Sequence, residues 1–203
     1  MKFPLAIVLV LLVAGCSGGS DSGSTSTAAG SAASDTWQTL FDGTDLSRWN
    51  IVGDANWEIV DGAVRADSSS AASFLVSDVD YSNFDLEVEF WVDVEANSGV
   101  FLRCRNPEQI GADSCYEVNI FDTRADQTYR TGAIVDYASP AQFVYTGGRW
   151  NTFEISADGD HLQVTLNDIP MVDTHDSTYT SGPIALQYGA GTVMFRKVRI
   201  RTR

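Results

Sequence analysis

From Phe84 onward, apolar and polar positions along the chain alternate with a period of two. Phe84, Leu86, Val88, Phe90 and Val92 interleave with Asp85, Glu87, Glu89, Trp91 and Asp93, which predicts a strand with one buried face. Val100, Leu102 and Cys104 repeat the rhythm, as do Tyr116, Val118 and Ile120. Phe153 with Ile155, then Leu162, Val164 and Leu166, then Ile184, Leu186 and Tyr188 continue it, and Val193, Phe195, Val198 and Ile200 close it. Turn pairs such as Asp61-Gly62, Gly147-Gly148, Asp158-Gly159 and Asn167-Asp168 separate the runs. No segment of the domain combines a 3.6-residue period with helix caps. Short strands at near-regular spacing predict an all-β fold, a two-sheet antiparallel sandwich of the jelly-roll kind.

The beginning of the chain follows other rules. Lys2 precedes an apolar run from Phe3 to Ala14, too short to cross a bilayer comfortably, since a spanning helix needs about 20 apolar residues. Val13-Ala14-Gly15-Cys16 resembles the bacterial lipobox, in which cleavage before Cys16 leaves a lipid-bearing thiol; an ordinary secretory signal is the alternative. Residues 17 to 36 hold nothing larger than Thr or Asp and read as a flexible tether. Ser17 after the Cys points, by resemblance to Gram-negative sorting rules, to the outer membrane. The expected organisation is a signal over 1–16 with lipidation at Cys16, a tether over 17–36 and one folded domain over 37–203. The expected location is the cell envelope, lipid-anchored and facing the periplasm.

Composition narrows the partners. The 203 residues are 44% hydrophobic and 20% charged, with 13 Lys+Arg against 27 Asp+Glu and a net charge of −14. Such a balance leaves no basic stripe to neutralise phosphates and argues against nucleic acid. Neutral partners such as sugars fit better.

In an exported domain Cys104 and Cys115 become a candidate disulfide, because they flank the loop between two predicted strands; two reduced thiols are the alternative. Two Cys and two distant His do not suggest a metal site. His161 leads a strand and His175 sits in the polar loop Asp173 to Ser177, neither beside a motif that orients it for catalysis. A divalent ion on Asp122, Asp126 or Asp136 stays open, with no spacing that specifies a site. No other cofactor is implied.

If Val100, Leu102, Tyr116, Val118 and Ile120 point between the sheets, Phe101, Arg103, Arg105, Glu117, Asn119 and Phe121 point away from the partner sheet. Trp91 and Gln187 do the same on their own strands. Aromatic rings mixed with a guanidinium, a carboxylate and amides suit a carbohydrate cleft. The plainer reading buries the rings under a loop and makes Arg103 and Glu117 a cross-strand ion pair.

Several segments then occur in one order: FDGTDLSRW from Phe41, NSGVFLR from Asn97, YEVNIFD from Tyr116, TGAI from Thr131, RWNTFEI from Arg149, LND from Leu166, GPIALQ from Gly182 and FRKVRIR from Phe195. The series resembles the 3-keto-disaccharide hydrolase family, also described as 3-keto-glucoside 1,2-lyases and 3-keto-2-hydroxy-glucal hydratases, over nearly all of Trp37 to Arg203. The resemblance implies a concanavalin- or laminin-G-like jelly roll. Trp49, Trp150 and Phe153 within these motifs read as core plugs. Implied activity is cleavage of an oxidised, 3-keto glycoside or oligosaccharide by β-elimination and hydration. Such a site needs a base near C2 of the sugar and a cation or donors at the C3 oxygen.

On that logic Glu117 is expected as general base or acid and Arg103 as oxyanion stabiliser. Asn119 and Gln187 would hold hydroxyls, Asp122 and Tyr137 would sit at the rim, and Phe101 and Trp91 would offer ring faces. The family often has Gln at the position of Asn119, an aromatic at that of Val135 and a His at that of Tyr188. The alternative function is a carbohydrate-binding lipoprotein of the same fold without chemistry.

Overall fold

A computed structural model describes residues 36–203; the lipobox, Cys16 and the tether up to residue 35 lie outside the described residues. Thirteen strands make up the described chain: β1 (Gln38–Phe41), β2 (Trp49–Val52), β3 (Glu58–Val60), β4 (Ala63–Ala66), β5 (Ser73–Ser77), β6 (Phe84–Val92), β7 (Ser98–Leu102), β8 (Tyr116–Ile120), β9 (Trp150–Asp158), β10 (His161–Leu166), β11 (Ile169–His175), β12 (Ala185–Tyr188) and β13 (Val193–Thr202). One 3₁₀ turn at Gln127–Tyr129 is the sole helical element among them. The pairing is antiparallel throughout and forms two sheets. The larger runs β11-β10-β9-β6-β13-β4-β3 with β1 also on β13; the smaller runs β2-β5-β12-β7-β8.

The predicted alternation is visible in the larger sheet. Along β6, Phe84, Leu86, Val88, Phe90 and Val92 are buried while Asp85, Glu87, Glu89 and Trp91 are half-exposed. Leu162, Val164 and Leu166 of β10 join the same core. In β13 the pattern slips from Phe195 to Val198 because a bulge falls between Arg196 and Arg199, with Lys197 at φ 49°. That one extra residue keeps both Phe195 and Val198 facing inward. On the outside, Arg196 and Lys197 bond Glu89, Arg199 bonds Glu87, and Arg201 and Arg203 bond Asp85.

The smaller sheet is covered on both faces, and β5 and β7 are buried at every position. Its inner face, with Leu75, Val100, Leu102, Val118 and Leu186, packs against the larger sheet. Its outer face carries a second apolar cluster of Phe74, Val76, Phe101, Ala185 and the Cys104–Cys115 disulfide. The bridge joins the ends of β7 and β8 with Cα atoms 4.3 Å apart, as expected of an antiparallel pair.

Trp49 is the expected plug: it is buried and its indole Nε1 donates to Leu40 O at 3.0 Å. Phe153 is core, but Trp150 is not. Residue 150 lies half-exposed on the outside of the larger sheet, where the Arg196 guanidinium covers its ring at 3.9 Å.

Candidate functional site

The outer face of the smaller sheet brings Glu117, Asn119 and Gln187 together. In the β7–β8 register Phe101 stands opposite Glu117 and Gly99 opposite Asn119, while Gln187 of β12 pairs with Phe74 of β5. Gly99 lets the Phe101 ring and the Glu117 side chain close over its backbone. A Cβ there would meet the Phe101 ring at 3.2 Å and the Glu117 side chain at 3.3 Å. Beyond β8, residues 132–135 lie alongside as an added edge, since Asn119 N donates to Ala133 O, Gly132 N to Asn119 O and Val135 N to Glu117 O.

Glu117 is set apart by its surroundings. Its carboxyl makes no hydrogen bond or ion pair among the described residues, and burial pushes its pKa from 4.5 up to about 7. Arg124 pulls the other way and Asp136 adds to the rise. Two more groups are unsatisfied: Asn119 Oδ1 and Gln187 Oε1 are buried with no hydrogen-bond partner. Buried acceptors without donors cost about 1–3 kcal/mol each, so a face that holds two beside a protonatable carboxyl fits a ligand that brings hydroxyl donors.

The loop after β8 roofs this face and supplies residues that sequence reasoning missed. Asn119 Nδ2 donates to Tyr129 O. The Tyr129 phenol is held by Asp136, which raises its pKa, and Arg124 stacks over the Tyr129 ring at 5.1 Å. Arg124, Tyr129 and Asp136 lie in a polar stretch without periodicity, so no sequence signal placed them near Glu117.

Arg103 does not stand beside Glu117. The strand ends at Leu102 and Arg103 takes φ 52°, which turns its side chain off the face that alternation would have given it. Fully buried, its guanidinium donates to Ser82 O at 2.7 Å, Gly159 O at 2.8 Å and Tyr179 O at 3.1 Å, tying three loops at one end of the sandwich. The crossing is tight because Gly182, at φ 152°, lets the backbone pass Cys104 where a Cβ would lie 2.2 Å from Cys104 O. The cross-strand Arg103–Glu117 pair is likewise not formed.

Other expected positions also move. Trp91 lies on the outside of the larger sheet, paired with Trp150 and Met194, because alternation tells which way a residue points but not which sheet its strand joins. Tyr137 packs edge-to-face on Tyr116 at 4.9 Å, and Tyr116 points into the sandwich, so this ring belongs to the core side. Asp122 is saturated: Oδ1 accepts from Thr131 Oγ1 at 2.6 Å and Thr146 Oγ1 at 3.0 Å, Oδ2 from Thr146 N at 2.6 Å and Gly147 N at 3.0 Å. Phe101 is on the expected face but only 1% exposed, edge-on to Phe74 at 5.4 Å, so it forms the floor and offers no open ring. Arg105 sits outside this group, over the Tyr179 ring at 4.7 Å.

His161 and His175 are neighbours, contrary to the distance expected of them. His175 ends β11 instead of lying in a loop, pairs with His161 across β10, and the two rings stack at 4.5 Å. Asp173 and Asp160 hold their outer nitrogens. Among the described residues no group of three or more His, Cys, Asp or Glu is placed to hold a metal. The three aspartates considered for a cation have other partners: Asp126 caps the 3₁₀ turn through Thr128, Asp136 holds Tyr129, and Asp122 is in its own knot.

A family described as the 3-keto-alpha-glucoside-1,2-lyase-like domain matches residues 36–201. The chain belongs to this family. No curated protein matches it by sequence. Among solved structures it is similar to two proteins of Parabacteroides distasonis that carry the provisional name glycosyl hydrolase. One is 17% identical with a TM-score of 0.73, covering 82% of this chain and 94% of the other. The second is 24% identical with a TM-score of 0.69, covering 83% and 100%. The carbohydrate-binding module CBM66 of Bacillus subtilis is 18% identical with a TM-score of 0.58, covering 82% and 95%. At these identities the likeness establishes the jelly-roll fold, while family membership relates the domain to carbohydrate chemistry.

Proposed function

We propose that the domain cleaves 3-keto-glycosides on the outer face of the smaller sheet, with Glu117 as the proton-transfer group. The observation that carries this reading is an unpaired carboxyl whose pKa burial raises to about 7, beside two buried amide oxygens without donors. A base poised near neutrality can both take and return a proton. The ketone at C3 acidifies the C2 proton; Glu117 removes it, and the enolate expels the oxygen substituent on C1, which departs as the alcohol with the proton that Glu117 returns. Water then adds across the enone, with hydroxyl to C1 and a proton to C2, so the net change is hydrolysis. Arg124, whose charge pulls the Glu117 pKa down, takes the role first expected of Arg103, that of offsetting the developing enolate charge. Asn119 Oδ1 and Gln187 Oε1 accept from sugar hydroxyls. Secretion and anchoring through Cys16 would place this chemistry at the cell envelope, downstream of a reaction that oxidises the sugar at C3.

A glycan-binding protein without chemistry is the second reading, favoured by the removal of Arg103 from the site. One experiment separates the two: incubation with a 3-keto-disaccharide, following enone absorbance and free 3-keto-glucose. Turnover is expected, with Glu117→Gln lowering kcat by roughly 10²-fold or more. Full turnover by that variant would remove Glu117 from the mechanism, and binding without conversion by the unaltered protein would select the second reading.

A further inference from the structure

The basic residues of this acidic chain are unevenly used. Those of β13 are neutralised on the outside of the larger sheet, by Glu89, Glu87 and Asp85. Arg124, Arg130 and Arg149 form no ion pair among the described residues, and contacts link all three to the loops around the site. Arg124 acts on Glu117. Arg130 Nε donates to Arg124 O at 2.9 Å, and its guanidinium lies 5.5 Å over the ring of Phe143. Arg149 donates to Tyr145 O. Phe143 and Tyr145 are 54% and 65% exposed, a large apolar surface for two rings that pack against so little. The Asp122 knot holds Thr131, Thr146 and Gly147 together, so the segments bearing Arg130 and Tyr145 are fixed side by side.

Unpaired guanidinium groups next to exposed rings, in a protein of net charge −14, would be an odd choice for solubility alone. They make a surface that accepts a flat ligand carrying negative charge, through stacking and charge-assisted hydrogen bonds. A chain of contacts runs outward from the site along this loop: Asn119 Nδ2 donates to Tyr129 O, Arg124 lies over the Tyr129 ring, Arg130 bonds Arg124 O and covers Phe143. We propose that Arg130, with Phe143 and Tyr145, forms a distal subsite for an anionic leaving group, a sugar acid joined to C1 of the oxidised glucose. This rests on the reading of Glu117 as the reactive end of the site, but it makes a claim about binding that does not depend on turnover.

The test uses the full chain and two unoxidised disaccharides, glucosyl-glucuronate and glucosyl-glucose, titrated by calorimetry. The acid is expected to bind about tenfold more tightly at low salt, the worth of one charge-assisted hydrogen bond. The preference should shrink severalfold in 0.5 M NaCl and vanish in Arg130→Gln. If Arg130→Gln does not fold, the salt dependence in the unaltered chain and a weakened preference in Phe143→Ala, which removes the ring under the Arg130 guanidinium, serve in its place. Equal affinities, no binding of either sugar, or a preference untouched by salt would overturn the proposal. The 3-keto forms of both sugars keep the two claims apart: an acid preference without turnover of either supports the subsite and strikes the lyase reading, and turnover without preference does the reverse.

Discussion

Replacing Glu117 with Gln should stabilise the protein while disabling it, and the stabilisation should depend on pH. Burial raises the folded-state pKa from 4.5 to about 7, so the folded chain holds this proton more tightly than the unfolded chain. The sign follows from linkage: Glu117 costs the fold nothing below pH 4.5, and stability is lost as pH rises through the interval up to about 7, beyond which the loss is constant. A shift of that size corresponds to about 3 kcal/mol at 1.36 kcal/mol per pH unit. Gln mimics the protonated acid in shape and stays neutral, so it escapes the loss. Paired urea denaturations should therefore show no difference near pH 4.5 and a gain of about 3 kcal/mol for Glu117→Gln above pH 7.5, roughly 6–12 °C in Tm for a domain of this size. Contributions from other carboxylates cancel in the comparison. A difference that stays flat from pH 4.5 to 8.5, or a variant less stable at pH 8.5, would refute the claim that Glu117 is an unpaired buried acid. A stabilised but inactive variant is what a site that trades stability for chemistry should give.

Arg103→Met should cost several kcal/mol, since each of the three carbonyls it serves loses a donor at about 1–3 kcal/mol apiece. A variant that melts normally but loses turnover would return Arg103 to the active site. Replacing Cys104 and Cys115 together with Ser should lower stability in urea by about 2–3 kcal/mol, because the bridge closes a short loop of sequence separation 11; an unchanged midpoint would show the bridge to be thermodynamically idle. Gly99→Ala places a methyl 3.2–3.3 Å from Phe101 and Glu117, so sugar affinity should fall about tenfold or more, the effect of a small displacement at a binding group. Calorimetry showing unaltered affinity would mean that ligand binding does not depend on the placement of Glu117 over Gly99.

The core was readable from the chain because alternation and burial share one cause. The inward residues of β6, β10 and β13 follow from period-two patterning, and the slip at Lys197 shows in the spacing of Phe195 and Val198 before its φ of 49° explains it. Glu117, Asn119 and Gln187 shared a face for the same reason. Arg103 escaped because one dihedral at a strand end reverses a side chain, and no neighbouring residue type announces that. Trp91 escaped because facing is a local property and sheet membership is a long-range one. His175 was hidden by a polar run, Asp173 to Ser177, whose first three residues nevertheless pair with β10. Arg124 and Tyr129 reach the site through loop closure, which depends on where Asp122 finds its partners far along the chain.

That aspartate has an implication for how such domains diversify. By clamping Thr131 and the backbone of Thr146 and Gly147, it closes off an excursion in which Thr131 to Val135 are buried against the sandwich while Ser139 to Phe143 stay largely exposed. Relatives could exchange Ser139 to Phe143, and with it the choice of aglycone, so long as the fastening at its base is kept. Ligand preference could then change at that rim while Glu117, Asn119 and Arg124 stay in place.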